Sequence, residues 1–182
     1  MNRGIQVGLV WLVLCLTGCE VIQQLPDQLP SLLPRQAHSP QLPPSPGQSA
    51  TTAAMEAEVR QRINTIRQQQ GLSPLRHHEQ LAQVARNYSR RMAEQRFFAH
   101  KSPQGDTMVE RVRSAGIVYF MLGENLFTST NIAQPVPAAI SGWMHSPGHR
   151  ANIIRSEYRE TGVGIWRRGN TYYITQLFLR SW

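Results

Sequence analysis

Apolar residues recur at helical spacing in the first half of the domain and as short strand-like runs in the second. In "TAAMEAEVRQRINTIRQQQG", Met55, Val59, Ile63 and Ile66 fall on one face. Glu56 and Glu58 stand near its start and Gly71 follows its end, which predicts a well-punctuated amphipathic helix. "LSPL" with Pro74 reads as a turn, and Leu81, Ala85, Tyr88 and Met92 mark a second helix that fades near Phe97. The loop "FFAHKSPQG" carries His100, after which Thr107 and Glu110 form a capping box that opens a short helix ending at Gly116. "IVYFML" reads as a strand leading into "GEN". Pro135 and Pro137 open a further helix with Ala139, Ile140 and Trp143 inward. "TGVGIW", "RRGN" and "TYYITQLFL" predict a hairpin. Helices come first, clear strands come late, and no βαβ alternation appears. The expected class is α+β, an antiparallel sheet covered by helices.

The N-terminal residues follow a different pattern. "MNRG" is a short positive start, "VGLVWLVLCL" an apolar run and "LTGC" its end. The run is shorter than the roughly 20 residues of a membrane span, and fits the hydrophobic stretch of a secretory signal. Residues 1–18 are expected to be a signal peptide, and the ending resembles a bacterial lipobox, which implies lipidation of Cys19. An ordinary signal peptide with an incidental cysteine is the plainer alternative. Cys15 and Cys19 are the only cysteines, so the domain has no internal disulfide to stabilise it. Residues 19–52 hold seven of the twelve prolines with many Gln and Ser, the composition of an extended tether. At about 3.1 Å per residue such a tether spans on the order of 100 Å. The segment from 53 to 182 is then the folded domain.

The formal charge of +8 comes from eighteen arginines and one lysine, Lys101. A basic surface draws anionic lipid, acidic wall polymers or nucleic acid. Export makes nucleic acid the excluded partner. Arg90, Arg91, Arg96, Arg111 and Arg113 crowd together, and a solvated helix face is the expectation for them.

Three polar residues stand among apolar neighbours: His100, Glu124 and His149. A half-buried carboxylate at 124 needs cations or donors, and the two imidazoles are suitable. In "WMHSPGHRANII", Ser146 is placed to cap a turn, Pro147 suits its first position and Gly148 permits the bend. The pair His145 and His149 is separated by that break.

In order, "RINTIRQQQGLSPL", "FFAHKSPQG", "LGENLF", "WMHSPGHRANII", "TGVGIW" and "YYITQLF" resemble the CAP superfamily (cysteine-rich secretory, antigen 5 and pathogenesis-related proteins), or SCP domain, in its bacterial branch. The resemblance implies an α–β–α sandwich with a cleft lined by two histidines and two glutamates. His100, Glu124 and His149 match three of these positions, and Ser146 stands where many eukaryotic members have the second glutamate. Glu157 lies further on. Three functions follow as expectations. One is a divalent-cation site, zinc for instance, on His100, Glu124 and His149. Another is a hydrolase for cell-wall or peptide substrates, and the third a binding or scaffold module for wall polymer, lipid or an envelope protein. Under a purely structural role the same three side chains form a satisfied buried network. Placement outside the cytoplasm, lipid-anchored to a membrane, is expected. In a diderm that would be the outer membrane, since Glu20 is not the aspartate associated with inner-membrane retention.

Overall fold

A computed structural model describes residues 49–182; the signal segment, Cys19 and the tether up to residue 48 lie outside the described residues. Among the described residues nine elements follow one another: α1 (Ala50–Gln69), β1 (Arg76–His77), α2 (Glu79–Gln95), α3 (Met108–Ser114), β2 (Met121–Thr130), α4 (Pro135–His145), α5 (Pro147–Ile154), β3 (Glu160–Arg168) and β4 (Thr171–Arg180). α1 begins inside the stretch expected to be tether, because Ser49 and Thr52 make a reciprocal capping box there. Among the described residues no helix is long and apolar enough to cross a membrane.

The four strands form one sheet in the order β1-β3-β4-β2. β4 pairs antiparallel with β2 and β3, whereas the two-residue β1 pairs parallel with β3, so the sheet is mixed rather than wholly antiparallel. Alternation along the strands sends side chains to two separate cores. Val163, Ile165, Ile174 and Phe178 pack with Val59 and Ile63 of α1, Val136, Ala139 and Trp143 of α4, and Ile153 of α5. On the other face Leu177 and Leu179 pack with Leu81, Val84 and Ala85 of α2 and Val112 of α3. Helices thus cover both faces, and the α–β–α layering is present.

Among the described residues, arginines also lie inside. Arg67 is fully buried and Arg86 nearly so, and the Arg111 side chain is 6% exposed, against the solvated role expected of the basic residues. Glu56 is buried too. Its Oε1 accepts from Ile165 N of β3 at 3.0 Å, on the edge that two-residue β1 leaves uncovered, and Arg86 Nε donates to its Oε2 at 3.0 Å. A carboxylate thereby satisfies an edge N–H that no strand reaches, with an arginine to offset its burial.

β2 departs most from its expectation. Residues 117–120 are not strand; Ile117 packs inward while Val118 and Phe120 point out, and "GEN" lies within the strand instead of after it. β2 runs on to the polar Thr128–Thr130, where its hydrogen bonds to β4 hold it at the sheet edge.

Candidate functional site

Each residue of "GEN" has its own task, set by the two-residue period of β2. Gly123 and Asn125 face α5, and a Cβ at Gly123 would stand 3.0 Å from Tyr158 Cζ and 3.1 Å from Asn152 Oδ1. Fully buried Asn125 donates to His149 O at 3.1 Å and accepts from Asn152 Nδ2 at 2.9 Å, while Asn152 also reaches Glu124 O at 3.3 Å. These bonds fasten the backbone of α5, and with it His149, to the edge strand.

Glu124 points to the opposite face, towards the loop between α2 and α3. Its side chain is 3% exposed and both oxygens are taken: Oε1 by His100 Nδ1 at 2.8 Å, Oε2 by Arg111 Nη2 at 2.7 Å. A carboxylate can only accept, so Nδ1 is the donor and Nε2 of His100 remains for a ligand. Arg111 Nη1 donates to the carbonyls of His100 and Asp106, each at 3.2 Å, and its guanidinium lies 3.4 Å from the centroid of the Tyr88 ring. Tyr88 in turn donates to Ala99 O at 2.5 Å. Asp106 holds Arg91 through two bonds, at 2.7 and 3.1 Å, and accepts from Ser102. The Arg91 hydrogen bonds keep its carboxyl well below the usual carboxylate range. The loop carrying His100 is therefore tied down at Ala99, His100, Ser102 and Asp106.

Of the four positions expected to share a cleft, His100 and Glu124 meet directly. His149 is half-buried in the first turns of α5, without a bond to Glu124; burial and, after it, the charge of nearby His100 lower its pKa. Ser146 is the single residue between α4 and α5. It occupies the N-cap position of α5 without the expected side-chain cap bond, its carbonyl accepting from Arg150 N instead. Pro147 is the first residue of a new helix and Gly148 its second, so the break is a one-residue hinge and not a loop. His145 closes α4, exposed, on Ser141 O at 2.7 Å. Glu157 is exposed and bonded to its neighbour Ser156, away from Glu124.

The second cation on Glu124 is thus Arg111, not His149. Its basic neighbours in sequence give Arg111 the look of a surface residue. The usable signal was the capping box at Thr107, which starts α3 and puts Arg111 beside inward-facing Val112.

The two histidines respond oppositely to pH. The hydrogen bond to Glu124 is the largest influence on His100 and raises its pKa, against burial. A raised folded-state value means that its contribution to stability is fully present below about pH 6.5 and fades as pH rises through that higher value. The lowered value of His149 makes the folded state favour neutral imidazole, at a cost that appears as pH falls below about 6.5.

As a metal shell the three-residue set does not fit. Both oxygens of Glu124 are engaged, one of them by a guanidinium. Among the described residues no group of three or more His, Cys, Asp or Glu side chains is placed to hold a metal ion. A cavity of about 410 Å³ opens beside Arg111, between α2 and α3, lined by Val84, Asn87, Tyr88, Arg91 and Asp106 among others, but by none of His100, Glu124 and His149.

Comparison with known proteins agrees with this architecture. The family described as CAP, the cysteine-rich secretory protein family, matches residues 60–178. The chain is 34% identical over 130 residues to the uncharacterized protein YkwD of Bacillus subtilis, covering 71% of this chain and 49% of that one. It is 32% identical over 127 residues to the uncharacterized membrane protein YlbC of the same organism, covering 70% and 35%. A crystal structure of an extracellular SCP-domain protein from Bacillus anthracis superposes with a TM-score of 0.68 at 27% identity, over 78% of this chain and 45% of that one. The chain spans about half or less of the length of these relatives.

Proposed function

The chain belongs to the CAP, or cysteine-rich secretory protein, family, and from that membership we propose that it is a binding module held outside the cytoplasm, whose His100–His149 cleft takes an anionic ligand of the cell envelope. The observation that carries this reading is that each oxygen of Glu124 already has a cationic or donor partner. Inverting or retaining glycoside hydrolysis uses two carboxylates flanking the scissile bond. Here one candidate acid is consumed by His100 and Arg111, the second position is Ser146, and Glu157 lies elsewhere. What remains accessible is imidazole: the His100 side chain is 61% exposed, and its bonded Nδ1 leaves Nε2 outward. A protonated imidazole donating from Nε2 suits a carboxylate or phosphate. The net charge of +8 favours anionic partners at longer range.

The envelope placement rests on the signal-like N-terminus and the L-T-G-C ending, from which Cys19 would carry the lipid and residues 20–48 the tether. It is supported by the extracellular setting named for the Bacillus anthracis neighbour and the membrane setting named for YlbC.

The test uses muropeptides from muramidase-digested peptidoglycan, which carry free carboxylates. Calorimetric titration of the purified chain is expected to give binding that strengthens as pH falls through the His100 value. His100→Ala/His149→Ala should weaken it about tenfold or more, the size of one or two lost charge-assisted bonds. Equal affinity in the double variant overturns the proposal. Shortened muropeptides after incubation with the native chain but not with Glu124→Gln would replace binding by hydrolysis.

A further inference from the structure

The buried acid of the cleft already has a permanent counter-ion. Arg111 is rooted on every side: Nη2 on Glu124 Oε2 at 2.7 Å, Nη1 on the carbonyls of His100 and Asp106, each at 3.2 Å, and 3.6 Å from Asp106 Oδ2, and its face on Tyr88 at 3.4 Å. Its side chain is 6% exposed. Arginine does not release its proton in proteins, so the positive charge is present at every working pH. A divalent ion on Glu124 would have to displace Arg111 from Oε2 or His100 from Oε1. In either case it would stand beside the fixed positive charge of Arg111, which repels it.

We propose that Arg111 is a built-in counter-ion that fills, at Glu124, the place a divalent metal would take, and so denies that carboxylate to metal. The three residues that look like a ligand set are then two imidazoles plus a carboxylate already spent. Arg111 is a positioning residue: it holds Glu124, and through Glu124 the ring of His100, in the orientation that a metal would otherwise impose. This holds whichever ligand the cleft accepts, so it stands or falls apart from the binding reading above.

Zinc titrated by calorimetry into the purified chain tests it, with thermal melting of each variant as the check on folding. Arg111→Met frees Oε2 and removes the repelling charge. It should bind zinc about 10- to 100-fold more tightly than the native chain, the range by which residues around a metal tune its affinity. The gain should disappear in Arg111→Met/Glu124→Gln. Arg111→Lys keeps the charge and should match the native chain. Two results overturn the proposal: a folded Arg111→Met that gains nothing, or a gain that survives in Arg111→Met/Glu124→Gln. If Arg111→Met does not fold, Arg111→Lys decides. A zinc affinity raised in Arg111→Lys then counts against the role of the charge.

Discussion

Gly164→Ala is expected to cost the fold about 3 kcal/mol, the upper part of the range for overpacking a close-packed contact. In "TGVGIW" the residues alternate across the sheet: Val163 and Ile165 enter the core under α1, α4 and α5, while Gly162 and Gly164 turn to α2. A methyl at 164 would overlap the backbone of Ala85 and Arg86, standing 2.5 Å from Arg86 Cα, and one at 162 would lie 2.8 Å from Ala82 Cα. The obstacle is main chain, so no rotamer change relieves it and α2 must move. Ser89 resists that movement, since its hydroxyl bonds Gly164 O and Thr175 Oγ1, both at 2.9 Å. Arg86 leaves α2 for Glu56 on the other side of β3, so displacement of the helix also strains that buried pair. Thermal melting should show a midpoint lower by about 10 °C. A midpoint within 2 °C (roughly 0.5 kcal/mol) would mean that α2 does not rest on these glycines.

Arg67→Met should be comparably severe, about 3 kcal/mol, for a different reason. The fully buried guanidinium donates to four carbonyls and to no acid: Ser73 O at 2.9 Å, Ile153 O at 2.8 Å, Arg155 O at 2.9 Å and Tyr158 O at 3.3 Å. Burial lowers its pKa, with Arg159 adding to the effect. Three of those carbonyls end α5 and carry the chain to β3, and the fourth, of Ser73, lies between α1 and β1, so the guanidinium ties the two segments together. Methionine fills the stem volume but leaves acceptors unpaired, at about 1–3 kcal/mol for each that stays dry, partly relieved by local loosening. Amide hydrogen exchange should accelerate across 153–159 in the variant. Arg62→Met, which removes only an exposed pair with Glu58, should change stability by less than about 0.5 kcal/mol. Equal melting of both variants would refute the assignment of Arg67 as the staple of that loop.

Much of this fold was legible because its signals are local. The helical periods of α1 and α2, the capping box at Thr107, the proline at the start of α4 and the β3–β4 hairpin all appear as expected, since each depends on residues a few positions apart. What the sequence concealed depends on distant partners. Arg67, Arg86 and Arg111 have the same polar character as any solvated arginine, and only the carbonyls and carboxylates brought to them from elsewhere make them interior residues. The apolar "IVYF" run reads as strand, yet only Ile117 finds a core to enter. In the site, "GEN" marked a half-buried carboxylate that needs partners without naming all of them. The meeting of His100 with Glu124 was expected from Glu124's need for a donor. Arg111 as the second cation, and Asn125 with Asn152 as the clamp on α5, were not, because each is a contact across 13 or more residues with no periodic mark.

The arrangement at Glu124 is tested most directly by long-range ¹H–¹⁵N correlation spectra of the imidazoles recorded across a pH titration. His100 should carry its proton on Nδ1 when neutral and titrate above the ordinary value of about 6.5, with His149 below it, and Glu124→Gln should bring the His100 midpoint down. A neutral His100 protonated on Nε2, with a midpoint that Glu124→Gln leaves unmoved, would contradict the carboxylate-held imidazole on which the cleft is built.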